Sequence, residues 1–305
     1  NHFAAFERYL LNPDAANLES FKSRITNEFP YQTYLELALT YHAFGLNDDA
    51  LKVLGQAPEH ALVALWKAYL SNDKKQLEEV VKLSPSFVFP YRTETVSALK
   101  WAVLNNTSWK FKYFLGLNYW AIQREQDAIQ LFKACGNEPD FAPFYTSRAY
   151  LLNKENEHTL ELTDLQRAKQ LNPEDWRNWG ELIGFYENSG ENAVALALST
   201  EAVGKFKDNF NVGLQHARVQ LNNGQYLSSI RTLQKLNILP FEGSVQGKYI
   251  FEQAHLFLAI DLVKKGKYKE AIGEIGKSKE WPENLGAGKP YDPDIRMQSY
   301  LEAIC

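Results

Sequence analysis

Apolar and small residues recur through the second half of the chain at a period of about 34 residues. The clearest copy runs through Leu115, Gly116, Tyr119, Ala128 and Phe132. A second copy has the same kinds of residue at nearly the same offsets, at Trp179, Leu182, Tyr186, Ala195 and Ala202. Units of this length that resemble one another are typical of stacked repeats in which each unit covers the apolar face of the next.

The spacing within each copy indicates helices. Apolar residues return every three or four positions, which is the period of one helix face. Units begin near Trp109, Ala142, Trp176 and Phe210, at intervals of 33, 34 and 34 residues. Runs of alternating apolar and polar residues between turn dipeptides do not occur, so strands are not predicted. We therefore expect an all-α fold of stacked helical hairpins.

The regularity of the pattern divides the chain into four predicted segments. Residues 1–30 are expected to form capping helices, 31–107 to form degenerate units, 108–280 to form regular units and 281–305 to form a loop and a last helix. Residues 86–106 are the least regular, and a change in the superhelical path is expected there. An insertion from Leu239 to Gly247, with Pro240 and Gly243, displaces the last unit so that it begins near Glu252.

Turn and cap residues set the predicted ends of individual helices. The first two helices are expected at 3–11 and 13–28, with Asn12 as the N-cap before Pro13. The last helix is expected from Ile295 to Ile304. Within the units, Gly116, Ala149 and Ala217 allow close approach on the first helix, and Ala128 and Ala195 on the second. Cys135 lies where other copies have alanine, so it is interpreted as a small buried hydrophobe.

Charge and composition limit the classes of partner. Lys and Arg number 33 against 37 Asp and Glu, the signs alternate, and the net charge is −4, so neither nucleic acid nor an acidic membrane is expected. No window is long and apolar enough for a membrane span. The two cysteines are far apart in sequence, which fits a reducing, cytoplasmic location. The chain begins at Asn1 and has one methionine, so we expect its natural N-terminus to lie upstream.

The sequence shows no catalytic, metal or cofactor motif. Its 6 histidines do not form pairs at metal-ligand spacing, and no serine lies in a nucleophile elbow. Gly286 to Lys289 superficially suggests a phosphate loop, but Pro290 follows the lysine and no strand precedes it, so a structural turn is expected. We therefore expect a protein that is not an enzyme and that needs no cofactor.

The residue set of these units resembles the tetratricopeptide repeat family from about Tyr31 to Lys279. The departures are Glu161 and Ser229 in place of alanine and Ser199 in place of an aromatic residue, and looser packing is expected there. The resemblance implies a right-handed solenoid of helical hairpins. It also implies a concave surface, lined by first helices, that binds a protein, a peptide or another domain of the same chain. Its groove positions fall on Lys110, Tyr113, Leu117, Trp120, Tyr150, Asn153, Arg177, Glu187 and Arg218. An alternative stays open in which Tyr113 and Trp120 belong to the core between units.

A finer resemblance concerns the two ends of the chain. The opening residues around Phe6, the segment from Tyr34 to Tyr41 and the tail from Trp281 to Pro293 resemble the C-terminal helical half of large bacterial proteins. In those proteins a mutarotase-like domain precedes the repeats. The alternative function is therefore that of an accessory half in a carbohydrate-active protein, aiding substrate access or oligomerisation. The oligomeric state is left open.

Overall fold

The computed structural model describes residues 1–240 and 244–305, and all regular elements in those ranges are helices. The all-α prediction is thereby confirmed. The predicted insertion falls partly outside the described residues, since Gly243 is not among them. The helices cluster into two compact units, Asn1–Glu157 and His158–Cys305. The four predicted segments remain predictions as divisions of the chain.

The first unit consists of ten α-helices. Three pairs of consecutive helices, α3 with α4, α5 with α6 and α8 with α9, pack against each other as hairpins. The bounds are α1 His2–Leu11, α2 Ala15–Lys22, α3 Pro30–Ala43, α4 Asn47–Gly55, α5 Ala61–Leu70, α6 Leu77–Lys82, α7 Thr95–Asn105, α8 Trp109–Ala121, α9 Glu125–Lys133 and α10 Ala142–Lys154, with a 3₁₀ turn at Lys74–Gln76.

The described residues of the second unit, 158–240 and 244–305, form eight α-helices. Its hairpins pair α12 with α13, α14 with α15 and α16 with α17. The bounds are α11 His158–Leu171, α12 Trp176–Asn188, α13 Asn192–Lys205, α14 Phe210–Asn222, α15 Tyr226–Leu233, α16 Gln246–Lys264, α17 Tyr268–Ser278 and α18 Arg296–Ile304, with a 3₁₀ turn at Glu283–Leu285. The helix starts near 109, 142, 176 and 210 agree with the predicted repeat starts.

Local sequence explains where the hairpin helices begin and turn. The carboxylate of Asp175 and the amide oxygen of Asn209 accept backbone N–H bonds at the starts of α12 and α14. These side chains satisfy donors that the first helical turn leaves without a partner. Between the two helices of a hairpin the backbone reaches the left-handed region, at φ 74° for Gly190 and 71° for Gly224. Glycine adopts this conformation without the steric cost of a Cβ atom.

Three predicted helix boundaries need correction. Asn12 is not the N-cap of the second helix; Asp14 is, because its carboxylate accepts the Asn17 N–H at 2.7 Å. Helix α2 also ends at Lys22, six residues before the predicted Glu28. Helix α16 begins at Gln246 and not at Glu252, because the apolar face that packs onto α15 already includes Ile250 and Phe251.

The interior of the first unit around α8 and α9 is built from aromatic rings. Phe111, Phe114, Phe132 and Phe144 are fully buried. Gly116 lies so close to Phe132 that a Cβ atom added to the glycine would be 2.4 Å from Phe132 Cε1. The absence of a side chain at Gly116 therefore makes room for a phenyl ring on the opposing helix.

Cys135 closes the same interior, as predicted. It is 1% exposed, and its Sγ lies 3.3 Å from the carbonyl oxygen of Leu131. Burial raises the pKa of the Cys135 thiol to about 12, so the thiolate form is disfavoured at neutral pH. Cys135 therefore serves as a small core residue.

The interior of the second unit contains buried polar groups. Ser199 and Ser229 have no exposed surface. Ser199 Oγ lies 2.9 Å from His216 Nδ1, and Ser229 Oγ donates to the carbonyl of Ala217 at 2.7 Å. The loose packing expected at Ser199 and Ser229 is wrong, because hydrogen bonds satisfy the buried hydroxyls. Glu161 is likewise buried, 3.0 Å from His158 Nδ1.

The segment after α17 folds back onto the end of α15, in an arrangement that we call the tail clamp, residues 284–286. Asn284 Nδ2 donates to the carbonyls of Leu233 and Leu236, and its own carbonyl accepts the N–H of Ile238. Leu285 is buried. Gly286 has φ 69°, and a Cβ there would lie 2.7 Å from the Ile238 carbonyl oxygen. The predicted turn at Gly286 is therefore a close backbone contact that requires glycine.

Candidate functional site

Two of the predicted groove residues form an aromatic pair on the first unit. Trp120 near the end of α8 and Tyr150 on α10 have ring centroids 5.3 Å apart at an interplanar angle of 32°. The Tyr150 side chain is 53% exposed, and Trp120 is half-buried with its ring edge toward Phe132. Burial of both rings would have excluded a groove at this place. We call these two residues the Trp120–Tyr150 pair.

A charged border lies beside this pair. Lys154 Nζ lies 5.0 Å from the centre of the Tyr150 ring and donates to Glu125 at 2.6 Å. That hydrogen bond raises the pKa of the Lys154 ammonium, which keeps it charged. Asn153 is exposed one helical turn beyond Tyr150, on the same side of α10. The surface therefore combines exposed ring area with an ammonium and an amide.

Two other predicted residues of the first unit have structural positions. Tyr113 is 4% exposed and packs on Phe132 and Phe144, and burial raises the pKa of its hydroxyl to about 12. Lys110 Nζ donates to the carbonyls of Val81 and Leu83, both at 2.5 Å. Tyr113 is thus a core residue, and Lys110 binds the carbonyls left open at the end of α6. The structure thus favours the alternative in which Tyr113 belongs to the core, Lys110 stays a predicted binding residue, and Leu117 is half-buried.

In the second unit two of the predicted residues, Glu187 and Arg218, form an ion pair. Arg218 Nε and one terminal nitrogen donate to the two carboxylate oxygens of Glu187 at 3.0 and 2.8 Å. This bidentate pair joins α12 to α14, and its hydrogen bonds raise the pKa of the Arg218 guanidinium. Arg177, at the start of α12, is exposed and lies 4.9 Å from the Trp176 ring. Arg177 also donates to the Asp175 carboxylate at 3.3 Å, so all three predicted charged residues of the second unit are paired.

Sequence reasoning missed a groove beside α3. It has a volume of about 610 Å³ and is lined by residues including Phe3, Glu36, Thr40, Phe44 and Arg92. Arg92 pairs with Glu36 across it, and Phe44 is 71% exposed. The only sequence signal was Phe44 itself, a large apolar residue directly before the turn glycine and outside the buried stripe.

A second missed cavity lies in the second unit, where the tail passes α16 and α18. Its volume is about 660 Å³, and residues of the tail, Trp281, Pro290 and Asp292 among them, line it. The buried Lys248 lies at its base, bonded to Glu252 at 2.6 Å and to the Ser278 carbonyl at 2.8 Å. The sequence pattern did single out this tail, although it did not predict a cavity.

The described residues contain no cluster typical of a metal site. Within 1–240 and 244–305, no three His, Cys, Asp or Glu side chains are grouped so that they could hold a metal ion. In the same ranges no helix has the length and apolar content needed to cross a bilayer. The Trp120–Tyr150 pair is therefore the best-defined exposed feature among the predicted site residues.

Comparison with known proteins yields structural similarity alone. No protein-family model matches the chain, and no curated protein matches it. A solved tetratricopeptide repeat protein from Parabacteroides merdae is 10% identical, with 90% of this chain and 98% of that chain covered at a TM-score of 0.40. YrrB, described as a tetratricopeptide repeat protein with an unusual peptide-binding site, is 11% identical, with 60% and 91% covered at 0.45.

A tetratricopeptide repeat protein of Thermus thermophilus is 18% identical, with 63% of this chain and 99% of that chain covered at a TM-score of 0.37. The architecture rests on this chain's own helix pairs, their 34-residue spacing and their turn glycines. On these features the chain is an all-α protein of tetratricopeptide-like helical hairpins.

Proposed function

We propose that this chain is a non-catalytic scaffold, and that the Trp120–Tyr150 pair binds an extended peptide or a domain of a partner protein. The observation that carries the proposal is the exposure of Tyr150, which is 53% accessible although its ring stacks on Trp120. The ring is already held by Trp120, so binding orders few additional side-chain torsions. A partner can therefore gain contact area at low entropic cost.

The chemistry beside the pair suits a peptide. Tyr150 and Trp120 supply flat apolar area of the kind that suits peptide contacts. Aromatic side chains of this kind are the residues that most often dominate binding energy at protein interfaces. Lys154 and Glu125 already pair at 2.6 Å, so neither sign of charge is in excess at this border. We expect the preferred partner to place an apolar side chain on Tyr150.

A peptide selection tests this proposal. A library of random twelve-residue peptides is displayed and selected on the purified chain, and each enriched peptide is measured by fluorescence anisotropy. Its affinity is compared between the natural chain and the Trp120→Ala/Tyr150→Ala double variant. We expect the double variant to lose at least about tenfold in affinity. Circular dichroism on both proteins checks that the fold is retained.

The matched control is Tyr268→Ala, which removes a tyrosine of similar exposure, 46%, from α17. Affinity for the selected peptides should be unchanged in this variant. If the selected peptides bind the double variant as well as the natural chain, or if no peptide is enriched, the proposal is wrong. Enriched peptides that lose affinity only in Tyr268→Ala would overturn it in the same way.

A further inference from the structure

The cavity beside the tail of the second unit has the size and the walls of a ligand site. Its volume of about 660 Å³ lies within the usual range of ligand cavities, about 300 to 1,000 Å³. Its walls come from the start of α16, the end of α17, the tail and α18. The tail segment from Pro290 to Ile295 lines one side. We call this space the tail cavity.

Hydrogen bonds lie before and at the end of this tail segment. On one side the tail clamp fixes Asn284 against Leu233 and Leu236. On the other side Asp294 accepts from the Arg296 side chain at 2.9 and 2.6 Å and from its backbone N–H at 3.1 Å. These bonds lower the pKa of the Asp294 carboxyl to about 2.

The charges that line the tail cavity are paired, with one exception. Lys248 pairs with Glu252 at 2.6 Å, Lys279 with Glu302 at 2.7 Å, and Arg296 with Asp294 at 2.6 Å. Glu252 also accepts from the buried Gln298 at 2.9 Å. Among the described residues Asp292 has no hydrogen bond or ion pair. All lining cations are thus neutralised, which disfavours an anionic ligand, and one carboxylate is available.

Exposed rings accompany that carboxylate. Tyr249 and Tyr300 both line the tail cavity and are 62% and 65% exposed. Trp281 lines it as well, with Lys248 Nζ 5.0 Å from its ring centre. Aromatic faces attract cations, and a planar guanidinium can stack on a ring while it donates two N–H bonds to a carboxylate. A cavity lined by a free carboxylate and by exposed rings is therefore complementary to arginine.

We propose that the tail cavity binds an arginine side chain of a partner protein, with Asp292 as the counter-ion and the exposed tyrosines as the stacking surface. This site is separate from the Trp120–Tyr150 pair and rests on different residues. An arginine is favoured over a lysine because its planar fork matches both a carboxylate and a ring face. The proposal thus adds a charge-selective contact to a surface that the repeat pattern did not predict.

Matched tripeptides test the proposal. The probe is acetyl-Gly-Arg-Gly-amide, and its neutral counterpart carries citrulline, which has nearly the same shape without the charge. Both are titrated into the ¹⁵N-labelled 305-residue chain, and the indole N–H signal of Trp281, assigned with Trp281→Phe, is followed by NMR. We expect saturable shifts with the arginine peptide, and at least about threefold weaker binding of the citrulline peptide.

Asp292→Asn supplies the second arm. We expect it to weaken binding of the arginine peptide about three- to fivefold and to abolish the preference over citrulline. The control Glu283→Gln removes an exposed carboxylate that does not line the cavity, and it should leave both affinities unchanged. The amide spectrum of each variant reports whether the fold is kept.

Three outcomes would overturn the proposal. They are equal binding of the citrulline and arginine peptides, unchanged binding in Asp292→Asn, and saturable binding of the neutral sugar maltotriose in place of the arginine peptide. Because none of these measurements involves Trp120 or Tyr150, failure here leaves the proposed function untouched. Failure of the peptide selection likewise leaves this site untouched.

Discussion

The hairpins α8–α9 and α12–α13 lie two repeats apart in sequence. They differ in which of their two helices carries the large buried side chain. In α8–α9 the first helix has Gly116 and the second helix has Phe132, whose ring fills the space that the glycine leaves. In α12–α13 the corresponding residues are Ile183 and Ser199, both fully or almost fully buried. The larger side chain of the two positions is thus on the second helix in α8–α9 and on the first helix in α12–α13.

This exchange shows which property the repeat keeps. The small residues Ala128 and Ala195 stay at the same offset and are both fully buried. Around them, a large residue on one helix is matched by a small one on the other, as expected when total core volume is conserved. The repeat pattern thus specifies which positions hold large or small side chains as a pair. In α12–α13 the small residue is Ser199, which places a hydroxyl in the interior.

The largest loss of stability should come from removing the Phe132 ring in the α8–α9 hairpin. Phe132→Ala deletes a fully buried side chain among Phe144, Tyr113 and Gly116, and we expect a loss of about 3 to 5 kcal/mol in unfolding free energy. Urea unfolding with hydrogen-exchange mass spectrometry measures it and locates it in the first unit. Phe44→Ala, at a 71% exposed site, is the control and should cost under about 0.5 kcal/mol. Equal losses in the two variants would contradict the packing comparison.

An exchange of residues between the hairpins sharpens the comparison. Gly116→Ile alone should cost about 2 to 3 kcal/mol, because even a Cβ atom would meet Phe132 at 2.4 Å. Gly116→Ile combined with Phe132→Ser reproduces the arrangement of α12–α13. We expect the double variant to be less destabilised than the sum of the single variants by at least about 1 kcal/mol. Strict additivity in the same unfolding assay would show that the two positions do not exchange volume.

A smaller loss of stability should come from removing the buried Ser199 hydroxyl in the α12–α13 hairpin. Ser199→Ala leaves His216 Nδ1 without the partner that it has at 2.9 Å, and we expect a loss of about 1 to 2 kcal/mol. The control Ser189→Ala removes an exposed serine hydroxyl that bonds the Phe185 carbonyl, and it should change stability by less than about 0.5 kcal/mol. Hydrogen exchange in α13 and α14 reports the difference. An unchanged protection of these helices in Ser199→Ala would speak against the bond.

The smallest effect concerns pH and involves His216 of α14, the hydrogen-bond partner of Ser199 in α13. Burial lowers the pKa of His216 below its ordinary 6.5, so the unfolded chain binds this proton more readily than the folded one. The stability from neutral His216 is therefore present above pH 6.5 and is lost as the pH falls through the folded pKa. His216→Gln should flatten this part of the pH dependence of unfolding in urea. The same slope in both proteins would assign the acid sensitivity to other groups.

Much of the fold follows from the sequence because periodicity and spacing are local. The apolar period sets the helices, and the turn glycines mark the hairpins. The same pattern predicts Cys135 as a core residue. The burial of a residue cannot be predicted in this way where it depends on side chains from other helices. Tyr113 lies on the same helix as Trp120, and only the packing of Phe144 and Phe132 against it decides that it is buried.

The site residues show the same limit. Lysine is a residue type that usually lies on the surface, yet Lys110 binds carbonyls that lie 27 and 29 residues earlier in the chain. The tail clamp joins the end of α15 and the residues after it to a segment about 50 residues later, through the bonds of Asn284 with Leu233 and Leu236. No periodic pattern encodes contacts of that separation. Polar residues whose partners are distant in sequence therefore escape a repeat-based prediction.

The tail clamp also has a consequence for the order in which the second unit is completed. The carbonyls of Leu233 and Leu236 receive Asn284 only after α16 and α17 have been synthesised. Until then the bonds from Asn284 cannot form, and closing this long loop costs entropy that local helix formation does not. We therefore expect α16 and α17 to pair on the ribosome first and the end of α15 to gain protection last, when the Asn284 to Gly286 segment emerges.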